Sequence, residues 1–469
     1  MLDLALAGFL AFFLLLGFKR PFLWVLCYLY VDILAPQIIS LRVLALLPVS
    51  QIVFLAAFGG WILLDRKDNS RFTWRQGLMI ALLLYCGYTT LTATYALEAA
   101  EKWSWVWKAM LFAIFLPLTL HTRLRIESVV LVMVLTASAL IIDGGLKTVL
   151  GGGGYDSLRF FVENNTGLYE GSIISCVAIA IIPLALWLAK HGTIFPPEWR
   201  VWTFAAALIF ACALIPVGTQ ARTGLICLAL LCALYLRTAK HRFLISMSMS
   251  AAMLLAVPFL PQSFTARMNT IENHKGDQSA NTRLAVWGWT LGYVKDHPLG
   301  GGFEIYIGNT LRFETVNTQT AGSTTLVETT VVEDSGRAFH SSYFEMLGEQ
   351  GIPGFLMWIL LQGSGLWQME MIRRRYRKRI EPDAQWQGPL AVALQQAHLV
   401  YLAGSLFVGI AFQPFILMLI SLQCGFWSYL KRIEAPATGK AARTAVRREM
   451  RVRGDAEDAS SHGAGPHPA

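Results

Sequence analysis

Long apolar runs separated by short basic segments dominate the sequence. Runs such as LALAGFLAFFLLLGF and LICLALLCALYL approach the roughly 20 residues that cross a bilayer as a helix. Hydrophobic residues make up 55% of the 469 residues and charged residues only 15%, below the roughly 25% of an average soluble domain. The pattern excludes a water-soluble globule and predicts an all-α polytopic membrane protein.

The apolar runs predict about thirteen transmembrane helices. The first run begins at residue 2 with no Lys or Arg before it, so we expect a retained span rather than a cleaved signal peptide. The second run contains Asp32 and Pro36, and a re-entrant path there would give twelve spans. The predicted spans are 2–18, 22–40, 43–64, 77–93, 104–120, 126–146, 171–189, 201–219, 223–236, 243–260, 343–368, 391–411 and 413–430.

The basic residues between the runs predict the orientation of the chain. In an up-and-down count they all fall on one side, which the positive-inside rule makes cytoplasmic. The net charge of +9 is therefore explained by topology, and we expect no nucleic-acid partner. The basic segments are 19–20, 65–75, 121–125, 190–200, 237–242, 373–379 and the tail after Tyr429.

Four regions follow from this topology. We predict an N-terminal transmembrane bundle over 1–260, a large periplasmic loop over 261–342 and C-terminal transmembrane helices over 343–432. The tail at 433–469 has few large apolar residues and predicts a disordered cytoplasmic segment. Within the large loop, NTQTAGSTTLVETT at 317–330 predicts irregular loop flanked by short helices.

Three ionisable residues near the predicted periplasmic face are candidates for function, because such groups are costly to place at membrane depth. His340 opens HSSYFEMLGEQGIPG, Arg222 lies in the short turn GTQARTG, and Arg283 shares a helical face with Trp287. The simpler alternatives are an interfacial histidine, a headgroup anchor for Arg222 and a surface ion pair for Arg283. All seven cysteines lie in apolar runs, so we expect neither a disulfide framework nor a zinc site.

The segment HSSYFEMLGEQGIPG resembles the signature of the O-antigen ligase and polymerase superfamily of bacterial membrane glycosyltransferases. His340, Ser341, Gly351 and Gly354 fill that pattern, and the stretch from Arg283 to the glycines at 300–302 is also similar to the family. The N-terminal segment KRPFLWVLCYLYVDILAPQ is similar to exosortase-associated O-glycosylation ligases. The resemblance implies a multi-pass protein of the bacterial inner membrane with a periplasmic active site.

Glycan transfer needs a base for the acceptor hydroxyl and a cationic cradle for the diphosphate leaving group. Under the resemblance, His340 is the general base, since a neutral imidazole can accept that proton. Arg222 and Arg283 bind the diphosphate, since guanidinium groups grip phosphate oxygens bidentately. The predicted periplasmic segments contain no Asp-x-Asp motif, so we expect a metal-independent reaction without a cofactor. Weaker candidates for the cradle are Arg267, Arg312, Arg337 and Arg159.

The expected donor is a glycan on undecaprenyl diphosphate, held among membrane lipids, but the residues leave the acceptor open. Lipid A core oligosaccharide would make the protein an O-antigen ligase, and we rank this first because the His340 motif matches that group most closely. A protein hydroxyl would make it an O-oligosaccharyltransferase, and a second lipid-linked glycan a polymerase. A secondary transporter is the alternative from another class, although the sequence shows no convincing internal repeat.

Overall fold

The computed structural model describes residues 2–40, 44–65, 67, 71–151, 168–238, 243–244, 247, 278–321, 324–377 and 385–434, which are mostly helical. The α-helices of these residues are α1 (Leu2–Gly17), α2 (Phe22–Leu34), α3 (Pro36–Ile39), α4 (Val49–Leu63), α5 (Trp74–Leu91), α6 (Ala96–Phe115), α7 (Arg123–Gly151), α8 (Gly171–His191), α9 (Trp199–Gly218), α10 (Arg222–Thr238), α11 (Gln278–Asp296), α12 (Ser342–Tyr376), α13 (Gln387–Gly404) and α14 (Pro414–Glu434).

Helices occupy the predicted spans, apart from 243–260, which lies almost entirely outside the described residues. Among the described helices, three are long and apolar enough to cross a membrane, namely Arg123–Leu150, Gly171–His191 and Trp199–Gly218. The chain is thus a mostly helical protein with membrane-spanning character, and the number of spans stays a prediction. The second predicted span is broken, because Ala35 adopts a left-handed conformation (φ 49°) between α2 and α3.

Three of the basic segments predicted to share one side, at 121–125, at 190–200 and after Tyr429, meet through described residues at one end of the helical bundle. A guanidinium nitrogen of Arg432 donates to the carbonyl oxygen of His121. Arg123 Nη2 donates to the carbonyl oxygen of His191 over 2.8 Å. These contacts join segments that are far apart in the chain. The assignment of this end to the cytoplasm stays a prediction.

A β-hairpin corrects the prediction of an irregular loop at 317–330. Strand β1 (Thr310–Ala321) pairs antiparallel with β2 (Thr324–Ser335), so the mostly helical fold, which is consistent with an all-α membrane protein, includes one two-stranded sheet. The prediction was wrong because it weighted polarity and glycine over the many Thr and Val residues of this stretch. Their branched Cβ atoms favour extended strands.

The hairpin and α11 belong to a small subdomain with its own apolar cluster. Val286 of α11 packs with Ile305, Leu311 and Phe339, and each is at most 3% exposed. The predicted helix around Arg283 and Trp287 is confirmed by α11, which ends before Pro298. The subdomain therefore presents Arg283 beside the start of α12.

The turn at 298–302 is docked into a break in α12. Gly351 interrupts the helix with φ 61° and ψ −167°, and Pro353 lacks the N–H that would pair with the carbonyl of Glu349. Gly301 N donates to Gly348 O over 3.1 Å, and Gly302 N donates to Glu349 O over 2.9 Å. The turn therefore satisfies carbonyl groups that the broken helix leaves without their usual partners.

Glycine is required on both sides of this contact. A Cβ at Gly351 would lie 2.3 Å from the carbonyl carbon of Leu299, and one at Gly300 would lie 2.4 Å from Gly351 N. Gly300 also has a φ of 88°, a conformation that other residues rarely adopt. The two backbones touch directly, and their contact places the subdomain on α12.

We expect Gly351→Ala to destabilise the protein by about 2 kcal/mol or more, because it adds both a steric overlap and an unfavourable positive φ. Thermal unfolding of the purified protein in detergent is the measurement. Gly363→Ala on the same helix is the matched control, since a Cβ there meets nothing within 4 Å and alanine favours helix. Equal losses of stability in the two variants would contradict the docking contact.

Candidate functional site

His340 lies in the short link between the hairpin and α12. Its side chain is exposed, while the preceding Phe339 is only 3% exposed. His340 has a φ of 47°, which is uncommon for a residue with a side chain. Such strain persists only where surrounding contacts enforce it and is frequent at functional sites. Trp287 Nε1 provides one of these contacts by donating to Phe339 O over 2.9 Å.

Ser342 fixes the chain immediately after His340. Its hydroxyl donates to Val408 O over 3.0 Å and accepts from Ile410 N over 2.8 Å. Its backbone N–H donates to Ser405 O over 2.8 Å. The HSS segment is thereby tied to the connection between α13 and α14, and the position of His340 depends on that connection as well as on the subdomain.

Arg283 lies close enough to His340 to affect its protonation. Desolvation by surrounding protein and then the charges of Arg283 and Arg337 lower the pKa of His340 below its usual value of 6.5. Trp287, one turn after Arg283, stacks on Phe344 with ring centroids 4.7 Å apart. This stack holds α11 against the first turn of α12. Because the pKa of His340 is lowered, its neutral form predominates at pH 7.

Arg337 is a weaker sequence candidate that the structure brings to His340. Its Nε lies 2.5 Å from Asp334 Oδ2. The side chain of buried Asn309 donates to Arg337 O over 2.7 Å and accepts from Arg337 N over 3.0 Å. Asn309 therefore fixes the backbone that carries the second cation beside the imidazole.

The remaining arginine candidates lie elsewhere or outside the described residues. Arg312 is on the hairpin, 3.5 Å from Glu333, with both side chains more than half exposed. Arg159 and Arg267 are outside the described residues. Arg222 is half-buried at the first position of α10, a helix that packs against α8 and α13. That Arg222 shares a ligand with Arg283 stays a prediction.

A buried ionic cluster near His340 was missed from the sequence. Lys102 Nζ lies 2.7 Å from Glu345 Oε1, 2.8 Å from Glu349 Oε1 and 3.3 Å from Glu304 Oε1. The Glu349 side chain is 0% exposed and that of Lys102 is 12% exposed. One ammonium group therefore joins α6, the segment after the glycine turn and the first two turns of α12.

Further hydrogen bonds make this cluster a structural junction. Glu345 Oε2 accepts from Ala411 N over 3.2 Å, and Glu349 Oε1 accepts from Glu304 N over 3.1 Å. Glu345 lies five residues after His340, so the cluster supports the helical turn that follows the candidate base. The sequence offered one signal for this cluster. Glu345 and Glu349 are spaced by four at the start of a predicted span, where acidic groups need a buried partner.

We expect Lys102→Met to destabilise the protein by about 3 kcal/mol, since it leaves three clustered carboxylates without their cation. Unfolding in detergent is again the measurement. Lys147→Met is the matched control, because its pair with Asp143 is about half exposed and worth at most about 0.5 kcal/mol. Adding Glu349→Gln to Lys102→Met should restore part of the loss. A Lys102→Met variant as stable as the control would show that the cluster contributes little.

Two family models match parts of the chain. Residues 206–359 match the O-antigen ligase family, and this range includes His340, Arg222 and Arg283. Residues 1–193 match a family of unknown function, DUF5935, so the N-terminal likeness to exosortase-associated ligases stays a prediction. No curated protein matches the chain. The match confirms the resemblance that the His340 motif predicts: residues 206–359 are similar to the O-antigen ligase family, which supports a ligase- or polymerase-type membrane glycosyltransferase.

Proposed function

We propose that the protein transfers a glycan from undecaprenyl diphosphate to an acceptor hydroxyl at the periplasmic face of the bacterial inner membrane. The observation that carries this proposal is the placement of a neutral, exposed His340 beside the permanent charge of Arg283. Both lie within the part of the chain that matches the O-antigen ligase family. A proton acceptor and a cation in one place are the two groups that this transfer needs.

The chemistry assigns a separate role to each group. The acceptor hydroxyl gives its proton to His340 while its oxygen attacks the anomeric carbon of the donor sugar. The bond from that carbon to the diphosphate breaks, and the diphosphate leaves with its negative charge. Arg283 binds this leaving group, and Arg222 completes the cradle from α10. Desolvation lowers the pKa of His340 most, Arg283 and then Arg337 lower it further, and Arg337 can also add to the cationic field.

The acceptor that we propose is a hydroxyl of lipid A core oligosaccharide, because the His340 motif resembles that of the ligases most closely. Transfer to a protein hydroxyl or to another lipid-linked glycan uses the same base and the same leaving group. The buried Lys102 cluster would support any of these reactions by holding the start of α12 in place.

The direct test incubates purified protein with lipid-linked glycan and each acceptor class in turn. We expect His340→Ala to lower glycan transfer at least about a hundredfold, the loss typical of removing a general base. His297→Ala is the matched control, since His297 is exposed at the end of α11 and stacks on Tyr293. Both variants should retain the thermal unfolding midpoint. Near-normal transfer by His340→Ala would remove His340 from the mechanism, and solute uptake without transfer would favour a transporter.

The pH dependence of transfer gives a second test of His340 as the base. We expect kcat/KM to fall on acidification through the lowered pKa of His340, because the protonated ring cannot accept a proton. Arg337→Gln removes a positive charge that opposes protonation, so the pKa of His340 should rise and the acidic limb should move to higher pH. Arg312→Gln, on the hairpin, should leave the limb in place. A shift to lower pH in Arg337→Gln would contradict the assignment.

A further inference from the structure

A basic cavity lies at the end of the bundle where the predicted cytoplasmic segments meet. Its volume is about 460 Å³. It is formed where α1 and α4 end and where α2 and α7 begin. The lining residues that matter for its chemistry are Lys19, Arg20, Leu64, Asp65, His121 and Arg125. The cavity is at the opposite end of the bundle from His340. Helix α5 begins with Trp74 at the end that holds the cavity, and near its other end Thr89 lies beside the glycine turn that packs on α12.

The cavity carries excess positive charge. Arg125 Nη1 and Nη2 each lie 2.7 Å from an oxygen of Asp65, and Nη1 also donates to Thr119 O over 2.8 Å. Asp65 is thereby neutralised by a fixed guanidinium in the wall. Lys19 and Arg20 add two exposed cations at the rim. Three cations and one carboxylate leave a formal charge of +2, which fits an anionic ligand.

Exposed apolar side chains that line this cavity, or that neighbour its lining residues in the chain, form what we call the apolar rim. Phe18 is 71% exposed, Leu63 80%, Leu64 57% and Leu124 57%. Residues of this kind beside a charged cavity are typical of the boundary between lipid tails and headgroups. A free phosphate would use the cations but would leave this apolar rim without a role. A ligand with both a phosphate and acyl chains uses both parts.

We propose that this cavity binds the headgroup phosphate of an anionic phospholipid, with Lys19 and Arg20 as its direct contacts. The acyl chains lie along the apolar rim formed by Phe18, Leu63, Leu64 and Leu124. Such a lipid ties the end of α1 to the ends of α4 and α7, which the Arg125–Asp65 ion pair already joins to each other.

Native mass spectrometry of the delipidated full-length protein tests the proposal. We expect phosphatidylglycerol to bind more tightly than phosphatidylcholine, and the double variant Lys19→Gln with Arg20→Gln to weaken the tightest phosphatidylglycerol site by about tenfold or more. The control is Lys190→Gln with Arg200→Gln, which removes two exposed charges from the same predicted side but outside the cavity. This control should bind phosphatidylglycerol like the unmodified protein.

Three outcomes would overturn the proposal. Equal weakening in both double variants would show general surface attraction rather than a site. Equal affinity for phosphatidylcholine would show that the phosphate charge is not recognised. Full displacement of phosphatidylglycerol by millimolar inorganic phosphate would identify a free-phosphate site. None of these measurements uses glycan transfer, so the result stands apart from the proposed function.

Discussion

The exchange of backbone hydrogen bonds at Gly351 is the interaction on which the candidate site depends. A helix broken at a left-handed glycine and followed by Pro353 leaves carbonyl groups without partners, and such groups are costly away from water. The N–H groups of Gly301 and Gly302 supply those partners. The break and the turn therefore require one another, and together they place α11, with Arg283, against the start of α12.

Side-chain contacts add to these backbone contacts in positioning His340 and the start of α12. Lys102 joins three segments through three carboxylates, and Ser342 ties the first turn of α12 to the connection before α14. His340 is held between these anchors in a conformation that an isolated peptide would rarely adopt. His340 itself remains exposed, so these contacts position a side chain that a ligand can reach.

Much of this arrangement could be predicted from the sequence, because apolar periodicity and glycine spacing are local signals. The helices, the end of α11 before Pro298 and the break near Pro36 follow from such patterns. The hairpin was missed since its Thr and Val content was read as polar loop. The Lys102 cluster was missed since it joins residues more than 200 positions apart, and no local pattern reports such a pairing.

The break at Gly351 also has a mechanical consequence. A continuous helix would carry any change of tilt, imposed by a thicker or thinner bilayer, directly to its first residues, which follow His340. The hydrogen-bond ladder of α12 is instead interrupted, and its first nine residues are attached to the glycine turn and the Lys102 cluster. We therefore expect the long segment that follows to change its inclination without moving the imidazole of His340. The break at Gly351 thus separates the position of His340 from changes in bilayer thickness.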